Sequence, residues 1–313
     1  FIDSDYLDLY PDVADAVKAG AFKTGHEHYL KCGKAEGRSP SIPAGITPRV
    51  KAVFYLIDQA GLGLEIGPSH NPLAPKKRGY NVHILDHVNV DELRKKYQNQ
   101  GLNLDNIEEV DFIWQGESLS ELIGKKHCYD WIIASHVVEH MPDLIAFLQQ
   151  CGELLRRDGV LSLVIPDKRY CFDYFQPLST TGMFLDAHAE RRTRPSPGQI
   201  FDHFANAATS SGSIHWSQNS GTAEDLLHGF NVAREKWLST TMTNEYIDVH
   251  CWRFTSESFS LVIADLAQLG LINLEIKAQF PTSGCEFYVT LGNIDRAITK
   301  YSDRYGSLVR IHD

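Results

Sequence analysis

The sequence predicts an α/β fold, a seven-stranded and mostly parallel sheet with helices on both faces, closed by an antiparallel hairpin. Three observations lead there. Short apolar runs alternate with helical stretches from residue 49 to residue 167, the pattern of strands buried on both faces. Two further strands, 271–280 and 285–292, are separated only by "PTSG", which is turn chemistry and leaves no room for a crossover helix. The first strand ends in "EIG" (65–67) and the second in Asp86, about twenty residues on, the spacing at which a carboxylate reaches ribose hydroxyls.

The elements follow in order. Residues 1–40 stand apart as a small helical module, with Tyr6, Leu7, Val13, Ala16, Val17, Phe22, Tyr29 and Leu30 as its apolar faces. "SPSIPAG" (39–45) reads as a linker, and 41–313 as the main domain. Within it, "RVKAVFYLIDQA" (49–60) has helical spacing before the strand "GLEIG". "YNVHILDH" (80–87) is a second strand, "DELRKKYQN" a polar helix, and "VDFIWQG" (110–116) a third strand. "YDWIIAS" (129–135) is a fourth, "LIAFLQQCGELLRR" an amphipathic helix and "GVLSLVIPD" (159–167) a fifth. The rhythm then breaks over about 170–250, a helical insertion or lid rich in His, Phe, Ser and Thr. It resumes with the helix "TSESFSLVIADLAQLG" (255–270), where Thr255 or Ser256 is the cap and Glu257 lies in the first turn.

Composition narrows the function. With 43% hydrophobic and 22% charged residues, the 313-residue chain can bury a sizeable core. The formal net charge is −10 and no basic stripe is present, which argues against nucleic acid as a partner. The six cysteines are scattered without a C-x-x-C pair, so free thiols in a reducing, cytoplasmic compartment are expected. No apolar run reaches the length of about 18 residues that spans a membrane, and no secretory leader is seen. Contact with the inner face of the membrane is expected only through partners. The sequence opens on Phe1 inside a motif, so we expect a piece of a longer protein.

In an open α/β sheet, ligands sit beyond the carboxyl ends of the strands at the topological switch point. Those ends are Glu65–Gly67, Asp86–His87, Trp114–Glu117, Ser135–His136 and Pro166–Lys168. Gly67 is followed by "PSHNP" rather than by two more glycines. A ligand with a ribose but no pyrophosphate needs the acid and not the rest of the glycine loop. The ligand read from the strand ends is a nucleoside.

These residues also carry a resemblance. E-I-G at 65–67, Asp86, "YDWIIASHVVEHMPD" (129–143), "LLRRDGVLSLVIPD" (154–167) and the closing hairpin together resemble a class I S-adenosylmethionine-dependent methyltransferase with a Rossmann-like sheet. The resemblance covers roughly residues 49–170 and 252–292, and departs from the family in the loop Pro68–Pro72, where Gly-x-Gly is usual. It implies S-adenosylmethionine as cofactor. Glu65, Gly67 and Pro68 would lie near its methionyl and ribose portions, and Asp86 with His87 at the ribose hydroxyls. Gly116 and Glu117 would flank the adenine, and Ser135 and His136 would close the near side. Trp114 reads as core, Glu139 as a helix N-terminal acid, and His140 as a site candidate.

If the acceptor is a hydroxyl, a base must remove its proton. His188, His203, His215, His228 and His250 all lie in the insertion. The chain re-enters the core through "DVHCWRFT", which ranks His250 first, with Asp167, His203 and then His140 behind it. A divalent metal on Asp202, His203, Asp248 and His250 is the less favoured alternative. Residues 1–40 resemble a helical repeat attached to bacterial glycosyltransferases, and the main domain is similar to methyltransferase domains found beside such enzymes. The resemblance implies O-methylation of a sugar hydroxyl on a lipopolysaccharide or capsular glycan, with glycosyltransferases as partners. Trp216, Trp237 and Trp252 are candidates to stack on the sugar. Lys168, Arg169, Arg191, Arg192 and Arg194 are candidates to meet an acidic group, against a default of solvated surface charge. The alternatives are a small-metabolite O- or N-methyltransferase, a nicotinamide-dependent dehydrogenase, and a non-catalytic cofactor-binding scaffold.

Overall fold

The computed structural model describes residues 3, 6–7, 10–34, 36, 48–218, 220–243, 245–295 and 303–312. The chain divides into two compact units, Phe1–Ala52 and Val53–Asp313. The expected linker at 39–45 and the end of the amino-terminal repeat lie outside the described residues.

In the first unit, the helix Pro11–Lys18 is followed by a turn Gly25–His28 that runs on into the π-helical turn Tyr29–Gly33. Thr24 caps the turn by accepting from the Glu27 amide. The buried Tyr6 ring lies between Tyr10 and Tyr29, and its hydroxyl is 3.2 Å from His28 Nδ1. Gly33 is glycine because a Cβ there would sit 2.1 Å from that hydroxyl. Leu30, expected on an apolar face, is exposed.

Among the described residues the second unit holds nine strands: β1 (Gly63–Ile66), β2 (Val82–Asp86), β3 (Phe112–Ile113), β4 (Tyr129–Ser135), β5 (Leu155–Pro166), β6 (Ala208–Thr209), β7 (Asp225–Leu226), β8 (Leu274–Ser283) and β9 (Glu286–Asn293). Seven form one sheet in the order β3-β2-β1-β4-β5-β9-β8, and β6 pairs with β7 separately. The first five are parallel, while β9 runs antiparallel to β5 and β8. This is the mostly parallel, Rossmann-like sheet closed by an antiparallel hairpin that the strand pattern predicts. The order reverses between β1 and β4, so the binding crevice opens beyond their carboxyl ends.

Local chemistry accounts for the elements. Leu144, Ile145, Phe147, Leu148, Cys151 and Leu154 form the buried stripe of the helix Leu144–Leu154. Thr255 caps the helix Ser256–Gln268 through a capping box with Ser258. Gly63 admits the fully buried Trp131, whose indole a Cβ would meet at 2.1 Å. Three expectations shift. The third strand shrinks from 110–116 to Phe112–Ile113 at the sheet edge, where Gly116 and its neighbours turn into a loop. The fifth begins earlier: Tyr129 pairs with Leu155 and Trp131 with Val160, so Arg156–Gly159 bulges between them. Glu139 and His140 do not open a helix. They close a 3-10 turn, Val138–His140, and Asp143 caps the helix that follows.

The insertion contributes helices Thr181–Ala189, Pro197–Asn206 and Phe230–Met242. It leaves and rejoins the sheet at one place. The Lys168 amide donates to the Phe254 carbonyl at 2.9 Å, and the Ser179 amide to the Arg253 carbonyl at 3.0 Å. The returning segment is also held by the turn after β4, because the Cys251 and Trp252 amides both donate to the Glu139 carbonyl. His250 is thereby delivered to the carboxyl edge of the sheet.

Candidate active site

The crevice edge is organised by two buried carboxylates. Glu65 accepts from the amides of Leu73 (2.6 Å) and Ala74 (3.0 Å), so it folds the Pro68–Pro75 segment back over the end of β1. Its role here is to hold that loop. Gly67 turns the chain with φ +65°, and a Cβ would meet Val137 Cγ2 at 3.2 Å. Pro68 begins the loop and accepts from Asn71. Asp86 accepts from the Ser69 amide on one oxygen, and from the His87 amide and His87 Nδ1 on the other. The Lys96 ammonium meets His87 Nε2 at 3.3 Å. Since a carboxylate offers about four lone-pair sites, one remains on Asp86 for a ligand hydroxyl.

On the far side, Gly116 adopts φ +102° and Glu117 is exposed. The loop is pinned by Trp114 Nε1–H donating to the Glu117 carbonyl and the Gln115 amide donating to its carboxylate. Trp114 packs against the core beside Phe147, as its apolar strand position predicts. Ser135 ends β4, and His136 follows at φ +54° with Nε2 2.8 Å from Glu286 and Nδ1 3.6 Å from Glu139.

Beside β4 lies a cluster that sequence spacing did not assemble. His250, 6% exposed, places Nδ1 2.5 Å from Asp173 Oδ2, and its Nε2 lies 3.9 Å from Glu139 Oε1. His140 Nδ1 is 2.8 Å from Asp248, and the two imidazoles meet edge to face at 4.7 Å. Glu139 is 0% exposed, and neither of its carboxylate oxygens has a hydrogen-bond partner. Burial disfavours the charged form of His140, but the Asp248 hydrogen bond and the charges of Glu139, Asp248 and Asp173 outweigh it and raise its pKa. Burial works against an ionised Asp173 too, yet His250 and Arg253 hold its carboxyl below the usual range.

The other expected bases fall elsewhere. Asp167 is fully buried, but it accepts from the Arg169 amide, Nε and Nη2 and from the Thr282 hydroxyl. With four donors on its two oxygens, it is a structural lock. His203 sits among Phe172, Phe204 and His250, where burial, reinforced by His250, lowers its pKa to about 4. It adjoins the cluster as a neutral ring. His188 binds the capping Asp143, His215 lies by Ser213, and His228 packs on Phe204. The less favoured metal set does not assemble: Asp202 is exposed, and Asp248 backs His140. Trp252 is core, its ring tilted against Phe184 with Nε1–H donating to the Met141 carbonyl, and cannot meet a sugar. Trp216 is also buried, leaving Trp237 as the exposed member of the three. Lys168 donates to the Tyr174 carbonyl, Arg169 to Asp167, Arg192 to Glu190 and Arg194 to the Thr243 carbonyl.

Asp173 and Arg253 are the residues that sequence reasoning missed, and Glu139 reads from the sequence only as a helix N-terminal acid. Asp173 lies in "YCFDYFQP", at the exit from β5, and Arg253 in "DVHCWRFT". Both flank the points where the insertion leaves and returns, which is the signal that marked them.

A methyltransferase-domain family model matches residues 44–260. The chain belongs to this family and is an S-adenosylmethionine-dependent methyltransferase. No curated protein sequence matches it. Among solved structures it is similar to the PH0226 protein from Pyrococcus horikoshii OT3 (12% identity, TM-score 0.38, covering 79% of this chain and 90% of that one). It is also similar to the 1,6-didemethyltoxoflavin-N1-methyltransferase from Burkholderia thailandensis (11%, TM-score 0.36, 94% and 92%). A third similar structure, from Rhodobacter sphaeroides, is described as a Zn-dependent alcohol dehydrogenase (11%, TM-score 0.42, 77% and 87%). Likeness at these scores carries nothing about chemistry.

The crevice residues fit the cofactor that the family implies. Asp86 keeps a lone pair at a strand end, and Gly67 and Gly116 leave backbone without side chains on either side of it. No described helix is long and apolar enough to cross a membrane.

Proposed function

We propose that this methyltransferase acts on a hydroxyl group, and that the hydroxyl belongs to a sugar of a bacterial surface glycan of the lipopolysaccharide or capsule type. The observation that carries the first part is the cluster around Glu139. A hydroxyl must lose a proton to be methylated, and such proton removal is worth roughly 10²–10⁴-fold. At the carboxyl edge of β4 the chain places two imidazoles, each held at Nδ1 by a carboxylate, against a buried carboxylate with no hydrogen bond. That is where the acceptor's proton is taken.

S-adenosylmethionine supplies an electrophilic methyl group, so the protein's task is to position the acceptor and handle its proton. Asp86 and the backbone about Gly67, Gly116 and Ser135 would hold the cofactor. Asp173 and Asp248 fix the orientation of His250 and His140. The sugar assignment rests on the resemblance of residues 1–40 to glycosyltransferase-associated repeats, which also makes glycosyltransferases the proposed partners. The cytoplasmic face of the membrane is the proposed place of action.

Calorimetry with S-adenosylhomocysteine, followed by mass spectrometry of nucleotide-sugars, oligosaccharides and phenolic metabolites, tests both parts. The expected outcome is a mass gain of one methylene on a saccharide. Methylation of the phenols alone would replace the acceptor with a small metabolite. Cofactor binding without transfer to any hydroxyl would support the scaffold reading instead.

A further inference from the structure

We propose that Glu139, His140 and His250 bind one divalent first-row metal ion at the carboxyl end of β4. The site stands on geometry; only the ion's use, activation of the acceptor hydroxyl, rests on the function proposed above.

One ligand atom from each of the three residues lies within 4.8 Å of the others. On both histidines Nδ1 is engaged by a carboxylate, Asp248 at 2.8 Å and Asp173 at 2.5 Å, which leaves Nε2 on each ring. Carboxylate–imidazole–metal is the usual way in which a ligating histidine is oriented and made more basic. Glu139 supplies the independent observation. It is fully buried, and neither of its oxygens has a hydrogen-bond donor, a costly arrangement for a carboxylate. Its nearest cationic candidates are His136 Nδ1 at 3.6 Å and His250 Nε2 at 3.9 Å. An ion among the three residues would satisfy it.

The ligand set indicates the kind of ion. Two imidazoles and one carboxylate suit first-row divalent metals over magnesium or calcium, and leave coordination positions open. Bonds of about 2.1 Å place ligand atoms about 3.0–3.4 Å apart, so His250 and Glu139 must approach by roughly half an ångström or more. Sugar oxygens can fill the open positions. When the ion-bound hydroxyl ionises, its O–H electron pair stays on oxygen and the proton passes to water, as with other metal-bound oxygens of lowered pKa. His250 then acts as a ligand rather than as the base.

The test is titration of the chelator-treated full chain with CoCl2, followed by calorimetry and by visible absorption. We expect one tight Co²⁺ per chain with ligand-field bands. Glu139→Gln, which keeps side-chain shape, should weaken binding at least 100-fold. Asp248→Asn, a positioning residue that would not touch the ion, should weaken it by about 10–100-fold. A second grouping, His28, Cys32 and Glu36, lies in the amino-terminal unit, so Cys32→Ser is the control and should leave the affinity unchanged. Absence of stoichiometric binding by the folded protein overturns the proposal. So does binding that survives Glu139→Gln and disappears in Cys32→Ser. S-adenosylhomocysteine binding without cobalt binding sinks the metal site alone. Cobalt binding without methylation of any saccharide sinks the acceptor and leaves the metal site standing.

Discussion

His250 and Asp173 are joined by a 2.5 Å contact between two buried side chains 77 residues apart in the sequence. Asp173 also receives Gln176 Nε2 and lies 3.7 Å from Arg253 Nε. It therefore aims the His250 ring while itself being held. Asp173→Asn should lower kcat/KM for methyl transfer by about 10–100-fold, the usual cost of losing a carboxylate behind a functional histidine. S-adenosylhomocysteine affinity, measured by calorimetry, should change by less than about twofold, since the side chains Asp173 holds are His250, Gln176 and Arg253 rather than the crevice residues. An equal loss in both would remove Asp173 from the acceptor side.

The turn at Gly67 separates backbone strain from side-chain contact. Gly67→Ala places a residue at φ +65°, at a cost of roughly 1–2 kcal/mol, and brings its Cβ to 3.2 Å from Val137. S-adenosylhomocysteine affinity should fall about tenfold, which corresponds to ~1.4 kcal/mol. Adding Val137→Ala should restore only the steric share. Full recovery in the double variant would show that φ is not the constraint.

Glu65 and Asp86 should differ in what they control. Glu65→Gln turns an amide NH₂ toward one of two backbone donors, and an unpaired buried group costs about 1–3 kcal/mol. Hydrogen exchange should speed up across residues 68–75. Asp86→Asn turns an NH₂ either toward the two His87 donors or, flipped, toward the Ser69 amide in place of the remaining lone pair, so S-adenosylhomocysteine affinity should drop by more than about tenfold in calorimetry. Matching behaviour of the two variants would mean that both carboxylates act only on the loop.

Gly63 tests the packing beneath the site. A Cβ at 2.1 Å from the Trp131 indole overpacks the core, and Gly63→Ala should destabilise by about 1–3 kcal/mol or more in urea unfolding. Trp131→Phe, which removes the fused ring carbons nearest that Cβ, should recover part of the loss. Strict additivity of the two substitutions would refute the contact.

Much of this molecule is local in origin. The alternation of apolar runs, the Thr255 cap, the "PTSG" turn and the acids ending β1 and β2 are legible because each depends on near neighbours in the chain. They determine the sheet, its hairpin and the carboxyl edge at which the crevice opens. What each polar side chain does at that edge was decided only by tertiary structure. Asp167 is occupied by Arg169 and by Thr282, which is 115 residues distant, and Trp252 turns into the core. Glu139 is covered by a segment that returns from the insertion more than a hundred residues later. A carboxylate becomes a lock, an orienting group or a ligand according to which donors reach it once water is excluded, and those donors arrive through the path of the chain rather than through its spacing.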